Sequence, residues 1–186
     1  MITIREENAA DFSAREALLD EAFGIERFEK TCERLREGRL PANGLALIAE
    51  LDGEIVGTVR LWHIKAGNVK DALVLGPLAV SAGVQSQGVG SRLMRAALNR
   101  ASLAAYSAIL LVGDAPYYNR FGFSASLTDG LWMPGPVERE RFLALELKAG
   151  SLSHAFGPVK ATGAWAGQDA VLVDIKSGIV GLRDAA

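Results

Sequence analysis

Gln85-Ser86-Gln87-Gly88-Val89-Gly90-Ser91-Arg92 stands between an apolar run and a strongly periodic one. Downstream, Val89, Leu93, Met94, Ala97, Leu98 and Ala101 recur at helical spacing, while Arg92, Arg95, Asn99 and Arg100 fall on other faces. This pattern predicts a helix over residues 87–103. The glycines at 88 and 90 permit positive φ and leave the backbone uncovered by Cβ. The first N–H groups of the helix lack intrahelical partners and sit at the positive end of its dipole, a setting that attracts a pyrophosphate. A loop that merely needs glycine to enter a helix explains the same pair. Two familiar phosphate loops are excluded. A Walker loop needs Lys followed by Ser or Thr where Ser91-Arg92 stands, and a dinucleotide fingerprint needs Gly or Ala where Leu93 stands.

Outward from this segment, residues 72–80 and 108–112 read as strands, the second continuously apolar and so buried on both faces. With the helix between them they form one parallel crossover. The strands upstream pair differently. Residues 45–51 and 54–63 flank Asp52-Gly53, a strong hairpin signal, because a type I′ turn needs positive φ at both central residues. A second turn at Gly67-Asn68 leads into residues 72–80. The loop is therefore entered from an antiparallel meander, which is not the context of a Rossmann unit.

Ile2 and Ile4 alternate with polar neighbours and predict a first strand. Residues 8–23 predict a helix with Asp11 in its first turn and Gly24 at its end. Residues 25–36 predict a second helix, with Ile25, Phe28, Cys32 and Leu35 in one buried stripe and Glu26 and Lys30 paired across a turn. Cys32 on that stripe reads as a small buried apolar residue. Residues 116–121 predict a short helix, and strands are expected from Phe123, over residues 142–147 and over residues 171–175. No linker or repeat interrupts the chain, so residues 1–186 are expected to form one domain.

Composition narrows the function classes. Lys plus Arg is 20 against 22 for Asp plus Glu, so the basic footprint of a nucleic-acid binder is missing. One Cys excludes an intrachain disulfide, and His63 and His154 have no metal-ligand spacing, so no metal is expected. No apolar stretch is long enough to span a membrane and the first residues do not resemble a signal peptide, so a cytoplasmic protein is expected. Glycine is abundant, at 20 of 186 residues, without a collagen-like or low-complexity pattern.

Gln85-x-x-Gly88-x-Gly90 resembles the Gln/Arg-x-x-Gly-x-Gly/Ala motif of the GNAT superfamily, the acyl-coenzyme-A-dependent N-acetyltransferases. Leu75-Gly76-Pro77-Leu78-Ala79-Val80 resembles the strand before that motif, and Tyr117-Tyr118-Asn119-Arg120-Phe121-Gly122-Phe123 resembles the Tyr-x-x-x-Gly-Phe element after it. Three elements in order are far more specific than one. The resemblance covers residues 1–147 well and 148–186 weakly, and within the superfamily it points to a bacterial branch of uncharacterised N-acetyltransferases.

The resemblance implies an α+β fold, with a mostly antiparallel sheet flanked by helices and splayed between its fourth and fifth strands. It implies acetyl-CoA as co-substrate. Backbone N–H groups of Gln87, Gly88, Val89, Gly90 and Ser91 would hold the pyrophosphate, with Gln85 and Ser86 at the loop's entrance. Leu78, Ala79 and Val80 would face the pantetheine arm, and the Leu78 N–H, next to a bulge at Pro77, would hold the thioester oxygen. Tyr118 would be the general acid, although the residues alone favour a packing residue beside Phe121 and Phe123. Arg92 suits an outer phosphate or a solvated helix face. Where many relatives carry Asn after the fifth strand, this chain has Gly113-Asp114, and Asp114 reads as a helix cap. His63, Glu50 and Glu21 are the candidates for a base, and Trp132 for a wall of the acceptor pocket. The acceptor would be a small-molecule or peptide amine. Dimerisation, common in the superfamily, is carried as an expectation. The competing readings are a non-catalytic acyl-CoA-binding regulatory module and an acyltransferase for longer acyl groups.

Overall fold

The computed structural model describes residues 1–167. The strand expected over residues 171–175 lies outside them. In chain order the elements are β1 (Ile2–Glu6), α1 (Phe12–Phe23), β2 (Ala46–Leu51), β3 (Glu54–Ala66), β4 (Val69–Val80), α2 (Val89–Leu103), β5 (Ala108–Val112), α3 (Ala115–Asn119), β6 (Leu131–Trp132), β7 (Phe142–Glu146) and β8 (Gly157–Ala161). The sheet runs β1-β2-β3-β4-β5-β7, with β8 pairing both the end of β3 and the short β6. In the main path every pair is antiparallel except β4 with β5, the crossover that the sequence predicts. Asp52 (φ 53°) and Gly53 (φ 88°) both take the left-handed turn expected of the β2–β3 hairpin.

Alternation along the strands divides the core. On one face Val59, Leu61, Ile109 and Leu111 meet Val89, Leu93, Met94 and Ala97 of α2. On the other, Trp62, Ile64, Val74 and Leu110 meet Phe142 and Leu35, and α1 lays Leu18 and Leu19 over Ala79. Burial on both faces is why β5 is apolar at every position.

Ion pairs join apolar burial in fixing α1. Asn8 and Asp11 form a capping box, and Asp11 also takes two hydrogen bonds from Arg5 that hold its carboxyl below the usual carboxylate range. Arg15, 1% exposed, reaches Glu7 at 2.5 Å and Glu16 at 2.7 Å. Glu16 also pairs with Arg27 at 2.5 Å, and Glu7 with Arg60 of β3. Burial pushes the Glu7 carboxyl up, and Arg15 opposes that shift.

This network corrects the predicted helix over residues 25–36. Two short 3-10 turns, Ile25–Glu29 and Thr31–Leu35, stand there, separated by Lys30 in an extended conformation. Arg27 turns inward to Glu16 and Asp20, leaving Ile25 79% and Phe28 40% exposed. Lys30 lies over the Phe23 ring, and among the described residues it makes no ion pair with Glu26. Leu35 alone of the predicted stripe is fully buried, and Cys32 is partly buried against the second core face. Phe123 enters the core but starts no strand. Ser124 makes one bridge to Ala144, then its hydroxyl accepts the Ser126 N–H and turns the chain into a 3-10 turn. Helix α2 begins at Val89 rather than Gln87.

Replacing Arg15 with Met would leave Glu7 and Glu16 buried without their shared partner. Arg15→Met should lose about 3–5 kcal/mol of unfolding free energy in urea at pH 7. An unchanged midpoint would show that the network is dispensable.

Candidate active site

Strands β4 and β5 share only the register Ala72–Ala108, Leu73–Ile109 and Val74–Leu110. Beyond it β4 runs on to Val80 and β5 to Val112 without pairing, so the sheet opens. The register between β3 and β4 slips at the same place, where Gly76-Pro77 together lie opposite Arg60. The Trp62 indole N–H donates to the Gly76 carbonyl at 2.6 Å and fixes this bulge. After the bulge, the Ser81 N–H donates to the Val56 carbonyl at 2.9 Å. By antiparallel alternation Ala79 then turns its backbone groups to β3, whereas Leu78 and Val80 turn theirs to the opening. The Val80 carbonyl meets the Gln85 side-chain amide at 3.5 Å.

The opening widens into a cleft of about 1340 Å³. That exceeds the roughly 300–1,000 Å³ of ordinary ligand sites and has room for a long ligand beside a second one. One end is the glycine loop. Ser86 (φ 68°) and Gly88 (φ 77°) bend it, and Gly88 is the N-cap of α2 in the left-handed region. Nothing surrounds a Cβ at Gly88, so backbone conformation alone selects glycine there. The first α-helical bond runs from the Arg92 N–H to the Gly88 carbonyl. The N–H groups of Gly88, Val89, Gly90 and Ser91 precede it and have no intrahelical partner. Gln87 departs from the expectation: its N–H is bonded to the Val84 carbonyl at 3.3 Å and it does not line the cleft.

At Gly90 the reason for glycine is a neighbour. A Cβ there would lie 2.8 Å from the Tyr117 hydroxyl. Tyr117 stacks edge-on against Tyr118 at 4.9 Å, and the Arg120 guanidinium covers its ring at 4.1 Å. The Tyr118 ring fills the space a Cβ on Gly113 would need. Burial pushes the Tyr118 hydroxyl up to about 12, and the nearby Arg141 charge opposes the shift. Among the described residues this hydroxyl has no hydrogen-bond partner, and Tyr118 lines the cleft with Leu78 and Val80.

These surroundings have counterparts. Residues 42–125 match the acetyltransferase (GNAT) domain. The uncharacterized N-acetyltransferase YjhQ of Escherichia coli is 31% identical over 123 residues, covering 64% of this chain and 68% of that protein. The chain belongs to the GNAT acetyltransferase family. The uncharacterized N-acetyltransferase YhbS of Escherichia coli is 27% identical over 84% of this chain and 94% of its own length. The solved structure of YhbS with CoA superposes with a TM-score of 0.74 at 25% identity, covering 97% of this chain and 96% of that one. A Brucella melitensis GNAT acetyltransferase solved with acetyl-CoA gives a TM-score of 0.60 at 26% identity, over 91% and 97% of the two chains.

Membership brings the acyl-CoA-dependent N-acetyltransferase class that the sequence elements implied. Of the expected GNAT site residues, Leu78, Ala79, Val80, Gln85, Ser86, Gly88, Val89, Gly90, Ser91 and Tyr118 all border the one cleft. Several secondary candidates do not. His63 packs against Tyr106, near the start of β5 and away from the opening. Glu50 is bound to Arg5. Glu21 borders a separate small hollow beside Gln85. Trp132 is 47% exposed and stacks on Phe156. Arg92 is spent on the Ile2 carbonyl at 2.8 Å. Asp114 does border the cleft, but it makes no side-chain cap, and its carbonyl receives the Tyr117 and Tyr118 N–H groups instead.

The cleft's far wall escaped the sequence reading. It comes from the 3-10 turns after α1 and from residues 136–141. Two hydrogen bonds fasten these segments together, from Thr31 Oγ1 to the Pro136 carbonyl at 2.5 Å and from Arg34 Nη1 to the Pro134 carbonyl at 2.8 Å. Among the described residues no group of three His, Cys, Asp or Glu side chains could hold a metal, and no helix is long and apolar enough to cross a membrane.

The contact at Gly90 yields a test. Gly90→Ala should destabilise the protein when Tyr117 is present and stabilise it in a Tyr117→Phe background. Overpacking costs about 1–3 kcal/mol, and up to about 1 kcal/mol of helix propensity is gained once the clash is gone. A urea double-mutant cycle measures the coupling. Equal effects in both backgrounds would show that the hydroxyl does not select the glycine.

Proposed function

We propose that this chain, as a single acetyltransferase domain, binds acetyl-CoA in the splayed cleft and transfers its acetyl group to a primary amine by direct attack. One observation carries the reading. Among the described residues, the start of α2 with its partner-free N–H groups, Leu78 and Val80 with backbone turned away from β3, and Tyr118 all border the same space. The complexes of YhbS with CoA and of the Brucella protein with acetyl-CoA support it.

In this reading the N–H groups of Gly88, Val89, Gly90 and Ser91 hold the pyrophosphate, with the helix dipole behind them. Gln85 and Ser86 form the entrance to that cradle. Leu78 and Val80 hydrogen-bond the pantetheine arm, and Ala79 contributes by packing under α1. Bound acetyl-CoA supplies an activated thioester and a thiolate leaving group. The Leu78 N–H donates to the carbonyl oxygen as charge develops there, stabilising the transition state more than the ground state. The amine nitrogen forms the new bond to carbon as the carbon–sulfur bond breaks. The amine releases its proton to water, and Tyr118 hands its own to the departing sulfur and regains one from water.

Burial keeps the Tyr118 proton in place, while making the phenol a weaker acid toward the departing sulfur. The shift to about 12 keeps it a neutral donor throughout the physiological range. A phenol with a raised folded pKa binds its proton more tightly in the native state. Its contribution to stability is therefore full below about pH 10 and is lost as pH rises through about 12. Ionisation of Tyr118 should give no alkaline limb in the rate below about pH 10.

Tyr118→Phe should lower kcat by roughly a hundred- to ten-thousand-fold. Heat protection by coenzyme A should persist, because the lost hydroxyl acts on the leaving sulfur. A coenzyme-release assay with a panel of amines reads the first and a thermal melt the second. Unchanged kcat in the variant would remove the acid role. Failure of coenzyme A to raise the melting temperature of the native protein would overturn the reading.

A further inference from the structure

The far wall of the cleft carries an unusual charge arrangement where the sheet opens. Arg36 stands beside the bulge, its Nη1 3.5 Å from where a Cβ on Gly76 would be. Its side chain is only 11% exposed, and its one hydrogen bond among the described residues runs from Nε to Glu33 at 2.6 Å. Among the described residues the four N–H donors on Nη1 and Nη2 have no acceptor. Arg141 stands on the other side of the opening. Its carbonyl takes the Gly113 N–H at 2.9 Å, which sets the residue directly beside the space filled by the Tyr118 ring. Its guanidinium makes no ion pair or side-chain hydrogen bond among the described residues, yet its charge reaches the Tyr118 hydroxyl. Two guanidinium groups thus bracket the end of the cleft where acyl transfer would occur.

These two groups are not suited to the coenzyme's phosphates. The bulge and Val80 are separated by three register steps, roughly 10 Å of extended chain, and the glycine loop lies further on. Nor do they suit a polycationic acceptor, which they would repel. A planar guanidinium matches the paired oxygens of a carboxylate or phosphate. We propose that the acceptor is a small amine that also carries an anionic oxygen group, carboxylate or phosphate, held by Arg36 and Arg141 beside Tyr118. The inference rests on the acetyltransferase reading above. It also fits the lack, among the described residues, of a buried base at the opening. Glu29, Asp114 and Glu138 line the cleft, and of the earlier base candidates none does. Two positive charges beside the opening, Arg36 held by Glu33 and Arg141 exposed, favour the neutral amine over its ammonium form, so proton loss to water precedes attack.

Matched acceptors provide the test: β-alanine against β-alaninamide for carboxylate, and phosphoethanolamine against ethanolamine for phosphate. In the native protein at least one anionic member should exceed its neutral partner at least tenfold in kcat/KM, and the pair that responds identifies the anion. Arg141→Gln should erase that ratio by raising KM for the anionic member, and Arg141→Lys should restore part of it. Equal kcat/KM within both pairs overturns the proposal, as does a ratio that survives Arg141→Gln. Transfer to none of the four, with heat protection by coenzyme A intact, also overturns it while leaving the coenzyme reading standing. Loss of heat protection in the native protein strikes the coenzyme reading instead.

Discussion

The separation of β4 from β5 is the constraint around which the molecule is arranged. Three registered pairs join the strands, and then a sheet with both faces covered leaves two rows of backbone groups unpaired in its middle. Such groups are costly when buried without partners. The bulge at Gly76-Pro77, pinned by the Trp62 indole, bends β4 away. The first turn of α2 reaches the gap with its own unpartnered N–H groups, and the two tyrosines of α3 close the third side. Each unmet group is a demand for a ligand, so the fold's weakest pairing is also its binding site.

How much of this was legible depended on how local the cause was. The β2–β3 hairpin follows from two adjacent residues, and α2 from its own apolar period. Gly88, Gly90 and Tyr118 fall within contiguous motifs, so they could be found without knowing the fold. The segment from Ile25 was misread because Arg27 answers to Glu16 and Asp20 on α1, and an apolar stripe carries no trace of that. Strand β8 was missed because its five residues include a proline and only one fully buried branched residue, Val159. Its pairing with β3 comes from the sheet and not from its own pattern. Arg36 and Arg141 were illegible for the same reason, being brought together by elements far apart in the chain.

The glycine loop shows a different limit. Both glycines belong to one motif, yet they are required for unrelated reasons. Gly88 is fixed by a left-handed backbone in open space, and Gly90 by the oxygen of a tyrosine brought in from α3. Sequence spacing points to the pair but not to the division of labour. The placement of Arg92 is a parallel case. A cation beside a phosphate loop invites an electrostatic role, but its guanidinium instead ties α2 to the first strand.

The cleft's two walls differ in how they are inherited along the chain. The wall with the glycine loop and tyrosines is one continuous stretch from β4 to α3, built on regular elements. The opposite wall is assembled from two remote pieces, short turns after α1 and the segment before β7, stitched by the Thr31–Pro136 and Arg34–Pro134 hydrogen bonds. Both bonds end on main-chain carbonyls, which are present whatever side chains those positions carry. The stitching therefore tolerates sequence drift on the 134–136 side, so that wall can diversify while the opposite one stays fixed. A lineage of such proteins could change what it recognises by altering two surface turns together, without rebuilding the sheet.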